Sequence, residues 1–545
     1  MTTVGRTPSS TVPGEQGPTE ARTRVGARQF WGAFAVLWVL TSAWALSSPV
    51  ASGPDENVHM VKAAAVVRGQ LGGESTPESP GAGVVDVPQM FAELVNYPVC
   101  FAFRGEEAAD CTPELTQSPA GDTPAEAGTW VVRNNPLYYA VVGLPSLLPA
   151  HEWVLYAMRL LSAALTSAVL AWGFRELLTL VRRPLVVLGA VTAITPMVVY
   201  LNGNVNPSGL EISAAITLWI ALSAMVRDPD PTRVTSRAAG IAVVAVLLAN
   251  SRGLSVVYLA TIAIVVAAIG PWAGVLSILR DRRTWPWLGV VAAGTGASLA
   301  WTLSAGTLEA GGAGHPELGF LSTATRTFFD TGDYVLVSIG RFGWLDTDLP
   351  TILYVLAIAL LGLPMLLALS IGRTRDRLGT LLTVAVAIFL PVLVHAWQAR
   401  NVGYIWTARY SMPLTVGVVV VAGFAARRGL ADVPSWVAAR LASTLLPLLA
   451  LVQAIAFLTH LRRYTVGTQG SWRAIFAGEW SPPVHGALLT TVAVGALTVG
   501  TWLLVRDVTT DRPDGEQAAA LRGDPDARTG TVEPAAATSQ PRTSR

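Results

Sequence analysis

The chain has 545 residues, of which 52% are hydrophobic and 14% charged, with a formal net charge of +2 and a mean hydropathy of +0.47. A soluble chain of this length carries roughly 25% charged residues, so the composition excludes a soluble globular protein, and nothing in it points to a nucleic-acid partner. Apolar runs of the roughly 20 residues needed to cross a bilayer recur from Phe30 to Leu504, which makes this an all-α polytopic membrane protein.

Residues 1–28 are rich in Thr, Pro, Gly and Arg without an apolar stripe and are expected to be disordered. Phe30–Leu46 then reads as a signal anchor, too long for an ordinary signal-peptide core, with Ala51-Ser52-Gly53 as a weak cleavage alternative. Apolar runs follow at about 153–180, 184–202, 208–226, 237–250, 254–274, 285–305, 350–371, 379–397, 409–426, 436–459 and 486–505, giving about 12 transmembrane helices with the first. Arginines cluster in alternate gaps, at Arg182 and Arg183, Arg227 to Arg237, Arg280 to Arg283, Arg373 to Arg377, Arg427 and Arg428, and Arg506. The positive-inside rule places these gaps in the cytoplasm; the first run then crosses outward and both termini are cytoplasmic. Arg462 and Arg463 are exceptions to this pattern.

Pro136–Ala150 is short, holds Pro145, and would invert every later cluster if it crossed, so it reads as a juxtamembrane or re-entrant helix on the outer face. The expected division is a disordered N-terminus (1–28), a transmembrane domain (29–505) and a disordered tail (506–545). Two long outer loops occupy 49–152 and 306–349, with Gly72–Gly83 and Pro113–Gly128 as linkers in the first. No internal repeat suggests the inverted architecture of many transporters.

The first outer loop carries Pro54-Asp55-Glu56-Asn-Val-His59-Met-Val-Lys62, which brings the only lysine of the chain within eight residues of two acids and a histidine. In a helix over 54–68, Asp55, His59 and Lys62 share one face and Glu56 lies to the side. That combines a base, a proton-shuttling imidazole and a cation; helix capping by the acids is the plainer alternative. The only cysteines, Cys100 and Cys111, lie in the same loop. Outside the cell a disulfide between them is expected, contributing about 3 kcal/mol, with two free thiols as the alternative.

Asn204, Asn206 and Glu211 form a dense hydrogen-bonding set that either binds sugar hydroxyls or satisfies a turn. Arg341, Asp346 and Asp348, beside Phe342 and Trp344, suit carbohydrate or form an interfacial belt. Arg409, next to Tyr410, stands against the positive-inside bias and suits bidentate recognition of phosphate, unless it pairs with Asp346 or Asp348. No zinc pattern, Walker loop or dinucleotide fingerprint occurs, so no metal site or cofactor is expected, although the sequence leaves a divalent cation open.

On these residues the chain resembles the GT-C superfamily of integral membrane glycosyltransferases. Pro54-Asp55-Glu56-x-x-His59, Phe342-Gly-Trp-Leu-Asp-Thr-x-Leu-Pro350 and Ala408-Arg409-Tyr410-x-x-Pro413 resemble, more closely, a bacterial membrane-protein family known as domain-of-unknown-function family 2142. The similarity covers about residues 30–505. The GT-C resemblance implies a polyprenyl-phosphate-linked sugar donor, a glycan or glycolipid acceptor, and a site on the outer face of a bacterial plasma membrane. Asp55 would be the base and Glu56 its understudy, with His59, Lys62, Asn204, Asn206, Glu211, Arg341, Asp346, Arg409 and Tyr410 binding substrate. Asn134-Asn135 stands where some members carry a charged residue or histidine before the proline. Two rival readings are a transporter or flippase of lipid-linked glycan, disfavoured by span interiors nearly free of charge, and a non-catalytic envelope-assembly protein, since a fold does not fix an activity.

Overall fold

A computed structural model of the chain describes residues 18–76, 79–307, 314–429 and 434–510. Residues 1–17 and 511–545, where disorder is expected, lie outside the described residues. Helix α1 (Pro18–Leu46) begins ahead of its apolar run. Proline at the first helical position gives up an N–H that has no intrahelical partner there, and residues 18–28 are helical rather than disordered.

Between α1 and the main bundle lie α2 (Glu56–Val66), β1 (Glu74–Thr76), β2 (Ser79–Pro88), α3 (Gln89–Glu93), β3 (Pro124–Thr129) and α4 (Leu137–Val142). The strands form an antiparallel sheet in the order β1-β2-β3, with Val85 opposite Ala127. This corrects the expectation of a purely α fold and of two linkers, because Gly72–Gly83 and Pro113–Gly128 both contribute strand. Val85 and Val87 are buried and Asp86 exposed, the alternation of a half-buried strand; it is too short to stand out among glycines and prolines. Cys100 and Cys111 form the expected disulfide, their Cα atoms 6.0 Å apart. Helix α4 is followed by a 3₁₀ turn (Leu144–Leu147), so 136–150 is two short pieces. A Cβ at Gly143 would stand 2.3 Å from the Ala63 carbonyl oxygen, which shows how closely this segment packs on α2.

The main bundle comprises α5 (Glu152–Leu177), α6 (Pro184–Ala193), α7 (Pro196–Asn202), α8 (Pro207–Arg227), α9 (Val234–Ala249), α10 (Ser255–Ile269), α11 (Trp272–Arg280), α12 (Trp285–Ser304), α13 (Phe320–Gly340), α14 (Thr351–Ile371), α15 (Thr374–Val402), α16 (Ala408–Gly429), α17 (Ser435–Val466) and α18 (Gly486–Thr510). A small hairpin, β4 (Arg341–Phe342) and β5 (Thr347–Asp348), joins α13 to α14. Among the described residues eight helices are individually long and apolar enough to cross a membrane, and α6 with α7, bent by 60°, make a ninth if they form one span. Helices α9 and α10 are shorter apolar helices of 16 and 15 residues. The apolar run read as 254–274 breaks at Gly270-Pro271, where proline has no N–H to continue the ladder.

Within the segment read as the second long loop, α13 turns Leu321 and Phe329 outward and buries Thr323 and Thr327. It also exposes Arg326, Asp330 and Asp333 and buries Val337 and Ile339, so its outer face mixes apolar and charged side chains.

The arginine-rich gaps meet at one end of the bundle through ion pairs: Arg183 with Asp507 (2.6 Å), Arg227 with Asp376 (2.8 Å), Arg427 with Asp228 (2.7 Å), and Arg233 and Arg237 both with Glu176 (2.9 and 3.0 Å). The exceptions Arg462 and Arg463 sit where α17 continues past its apolar run. Arg463 is fully buried and donates to the carbonyls of Phe101 and Arg104 (both 2.9 Å) and of Glu107, and to Asp346 Oδ2 (3.2 Å). It pins the disulfide loop to the bundle.

Arg463→Ala strands a buried carboxylate and three carbonyls, so a loss of about 3–5 kcal/mol is expected. Arg462→Ala, which releases one hydrogen bond to the Gly470 carbonyl and a stack on Trp472, should lower the unfolding temperature in detergent far less.

Candidate active site

The turn between α1 and α2 is wrapped around one guanidinium. Arg159, on α5, donates from Nη1 to the carbonyls of Ala45 (2.9 Å) and Ser48 (3.0 Å), and from Nη2 to the Pro49 carbonyl (2.8 Å) and Ser52 Oγ (3.1 Å). It completes a bidentate pair with Glu56, Nε to Oε1 at 2.8 Å and Nη2 to Oε2 at 2.5 Å. The Glu56 carboxylate also accepts from the N–H groups of Val205 (2.9 Å) and Gly53 (3.2 Å). Neither side chain of this pair has exposed surface. Glu56 is therefore a fully engaged structural anion and leaves the set of candidate bases.

This anchorage holds Ala51 and Asp55 at φ values of 60° and 61°, a region that non-glycine residues rarely occupy and that costs of order 1–3 kcal/mol each. Asp55 is the N-cap residue of α2, yet its side chain makes no capping hydrogen bond. It turns away from the helix to pair with Arg409 Nη2. The expected alternative of helix capping thus gives way to an ion pair between residues 354 positions apart. Burial raises the Asp55 carboxyl, but the guanidinium of Arg409, with His59 and Arg252, outweighs it and holds the group below its ordinary range.

Arg409 also donates from Nη2 to the Tyr410 hydroxyl (3.3 Å), and its guanidinium carbon lies 5.2 Å from that ring. A second guanidinium, Arg252, lies 4.5 Å from the same ring and donates to Ser208 Oγ at 2.7 Å. Arg252 sits in Asn250-Ser-Arg252-Gly253 between two weakly marked runs. Its signal in the sequence is that of Arg409, an arginine away from the arginine-rich gaps. Arg159 signals itself as a charge inside an apolar run, at the end away from Arg175 and Glu176.

His59 is buried on α2 with Nδ1 2.8 Å from the Tyr139 hydroxyl, which accepts from Asn134 Nδ2 at 3.0 Å. If the tyrosine hydrogen goes to Nδ1, the imidazole proton resides on Nε2. Burial drives the imidazole down, against the pull of Asp55 and with the push of Arg252 and Arg409, to about 3. The ring is neutral at physiological pH, which removes the expected proton shuttle and leaves a hydrogen-bond donor.

Lys62 does not join the site. Its ammonium, lowered by burial to about 8, donates to the carbonyls of Leu71 and Val132, both at 2.6 Å, and ties the sheet to α2. Asn204 and Asn206 are buried with their amides spent: Asn204 on the Tyr200 carbonyl (3.1 Å), Asn206 on the Pro54 carbonyl (2.9 Å) and as the cap of α8. They hold the turn under Asp55 and offer no free surface to a sugar. Glu211 accepts from Ser255 Oγ at 2.5 Å.

Arg341 pairs with Asp333 (3.0 Å) and Asp348 (2.7 Å) in a separate cluster, and Asp346 belongs to Arg463. The Phe342–Asp346 loop instead backs the turn: Trp344 Nε1 donates to the Ala51 carbonyl at 3.2 Å. Of the expected residues the structure therefore gathers Asp55, His59, Arg409, Tyr410 and Glu211, and adds Arg252, Tyr139 and Asn134.

An apolar cavity of about 230 Å³ lies among α13, α14, α15 and α16; its lining includes Ser411 and Met412 but none of the clustered residues. Among the described residues no group of three or more His, Cys, Asp or Glu side chains converges as a metal site. A family model described as a predicted membrane protein, DUF2142, matches residues 38–418, which include Asp55, Arg159, Arg252 and Arg409. No curated protein and no solved structure matches the chain.

Two stability outcomes follow from the geometry. Glu56→Gln should cost about 3–5 kcal/mol by leaving Arg159 uncompensated, whereas Asp55→Asn should cost far less, because its pair is partly exposed, at 12% and 23% for the two side chains. The depressed pKa of His59 means that the unfolded chain binds its proton first. Its stabilising contribution is complete above about 6.5 and is lost as pH falls toward 3. His59→Gln should flatten that acid limb of a pH series of unfolding temperatures, and an unchanged limb would assign it elsewhere.

Proposed function

We propose that this chain, which belongs to the DUF2142 family of predicted membrane proteins, is a glycosyltransferase that moves a sugar from a polyprenyl-phosphate donor to a cell-envelope acceptor on the outer face of the plasma membrane. The observation that carries this reading is a strained, partly exposed Asp55 meeting Arg409, with Arg252 and neutral His59 beside it. A twelve-span reading with both termini cytoplasmic fits the ion-paired arginine gaps. It puts Asp55 at the opposite, outer end, where a lipid-borne donor presents its headgroup.

In this mechanism the Asp55 carboxylate takes the proton of an acceptor hydroxyl as that oxygen attacks the anomeric carbon, and positioned general bases contribute typically about 10²–10⁴-fold. The bond from the anomeric carbon to the phosphate oxygen breaks, its electron pair leaves with the polyprenyl phosphate, and the configuration inverts. Arg409 and Arg252 are fixed cations for the charge that develops on the leaving phosphate, and His59 offers its Nε2–H to a substrate oxygen. The apolar cavity lined by Ser411 and Met412 is the candidate place for isoprenoid units of the donor.

Asp55→Asn is expected to leave the protein at parental levels in the membrane, abolish one class of envelope glycan and cause its lipid-linked sugar to accumulate. Normal glycans in that strain would overturn the assignment. A purely structural ion pair in a non-catalytic assembly protein would tolerate Asp55→Asn combined with Arg409→Gln, so an intact envelope in the double variant favours that role.

A further inference from the structure

The pair that supplies the base also silences it. Arg409 is bound to Asp55, and a carboxylate held by a guanidinium is a poor proton acceptor. Yet Arg409 is incompletely used. Its Nη1 makes one long contact, 3.4 Å to the Pro54 carbonyl, and its buried Nε–H has no partner among the described residues. Arg252, half-buried, makes no hydrogen-bonded ion pair with a carboxylate among the described residues: Glu211, whose Oε1 accepts from Ser255 Oγ, acts on it only through space. Two guanidinia against one Tyr410 ring therefore share a single contacting carboxylate.

The surrounding backbone has the same sign. Helices α8, α10 and α16 begin at this cluster and carry Ser208, Ser255 and Arg409 in their first turns, so their positive dipole ends converge on it. A carboxylate offers two oxygens to one fork. A phosphate offers more and bridges two.

From this we infer that the Asp55–Arg409 pair is a latch opened by a phosphate group, which docks between Arg252 and Arg409, takes Arg409 from Asp55 and so frees the carboxylate only once the phosphate is in place. The inference rests on the transferase reading for its purpose, since it makes the lipid-phosphate donor bind before the acceptor is deprotonated. Its geometry stands without that reading. Because carboxylate and phosphate compete for one guanidinium, the latch fixes the sign of an effect that a simple anion site leaves open: removing the charge of Asp55 tightens phosphate binding.

The test is calorimetric titration of the purified full-length chain in detergent with inorganic phosphate and with farnesyl phosphate, each variant first checked for a parental unfolding temperature. Arg252→Gln should weaken phosphate binding about tenfold or more, the loss expected for a charge-assisted hydrogen bond. Arg252→Lys, a milder change should the glutamine variant not fold, should recover part of the affinity. Asp55→Asn should tighten binding several-fold, to about the same extent for both ligands. Arg341→Gln, in its separate cluster, should change nothing. Unchanged or weaker phosphate binding by Asp55→Asn overturns the latch, as does full affinity in Arg252→Gln.

A clear preference for farnesyl phosphate assigns the ligand to a lipid, and equal affinities assign it to a soluble phosphate; either upholds the competition. The latch and the transferase are separable. Tightened phosphate binding in Asp55→Asn with normal envelope glycans keeps the former and removes the latter, and lost glycans with unchanged phosphate binding do the reverse.

Discussion

The buried pair between Arg159 and Glu56 is the constraint on which the candidate site depends. Taking two charges out of water costs several kcal/mol per ion, and the cost is offset here because nearly every polar hydrogen and oxygen of the pair is engaged. The guanidinium collects three carbonyls and a hydroxyl from the end of α1 and the turn after it, and the carboxylate collects two backbone N–H groups. The result is a turn with one conformation. Asp55 follows Pro54 and precedes Glu56, so fixing Glu56 fixes the left-handed backbone at Asp55 and aims its carboxylate across the bundle rather than into its own helix.

The arginines away from the arginine-rich end fall into two physical kinds. Arg159 and Arg463 are fully buried and bound to backbone carbonyls and to one buried acid each, although the Nε of Arg463, like that of Arg409, has no partner among the described residues. They knit the segment after α1 to the bundle. Arg409 and Arg252 are open: partly exposed, stacked on one tyrosine, and holding fewer partners than their donors allow. The positive-inside pattern treats both kinds as exceptions without telling them apart.

The support of the site comes from regions far apart in the chain. Tyr200 and Tyr464 both donate to the Ser52 carbonyl, at 3.1 and 3.4 Å, and Trp344 donates to the Ala51 carbonyl. Beneath the turn, His460 is enclosed by the rings of Trp44, Tyr200, Phe342 and Tyr464. The Phe342-Gly-Trp-Leu-Asp segment, which reads as a surface for carbohydrate, is a buttress: its aromatics face the core and its aspartate belongs to Arg463. The same holds for Asn204 and Asn206. Hydrogen-bonding residues near a membrane edge look alike in sequence whether they serve a ligand or a strained backbone.

Much of the architecture is local and therefore readable from composition. Apolar length dictates the spans because unpaired backbone groups cannot face lipid, arginine spacing dictates which gaps share an end, and two cysteines eleven residues apart in the segment after α1 pair. Asp55 and Arg409, which the fold pairs, stand out for the same reason, as charge placed where charge is costly. Tertiary structure alone decided the rest. A helical wheel places Glu56 beside Asp55 and Lys62 beside His59, but burial against Arg159 and against two loop carbonyls removes both from the site. Arg252 enters it from the turn between α9 and α10. Whether a polar side chain is spent or free depends on partners more than a hundred residues away, and no short window of sequence contains them.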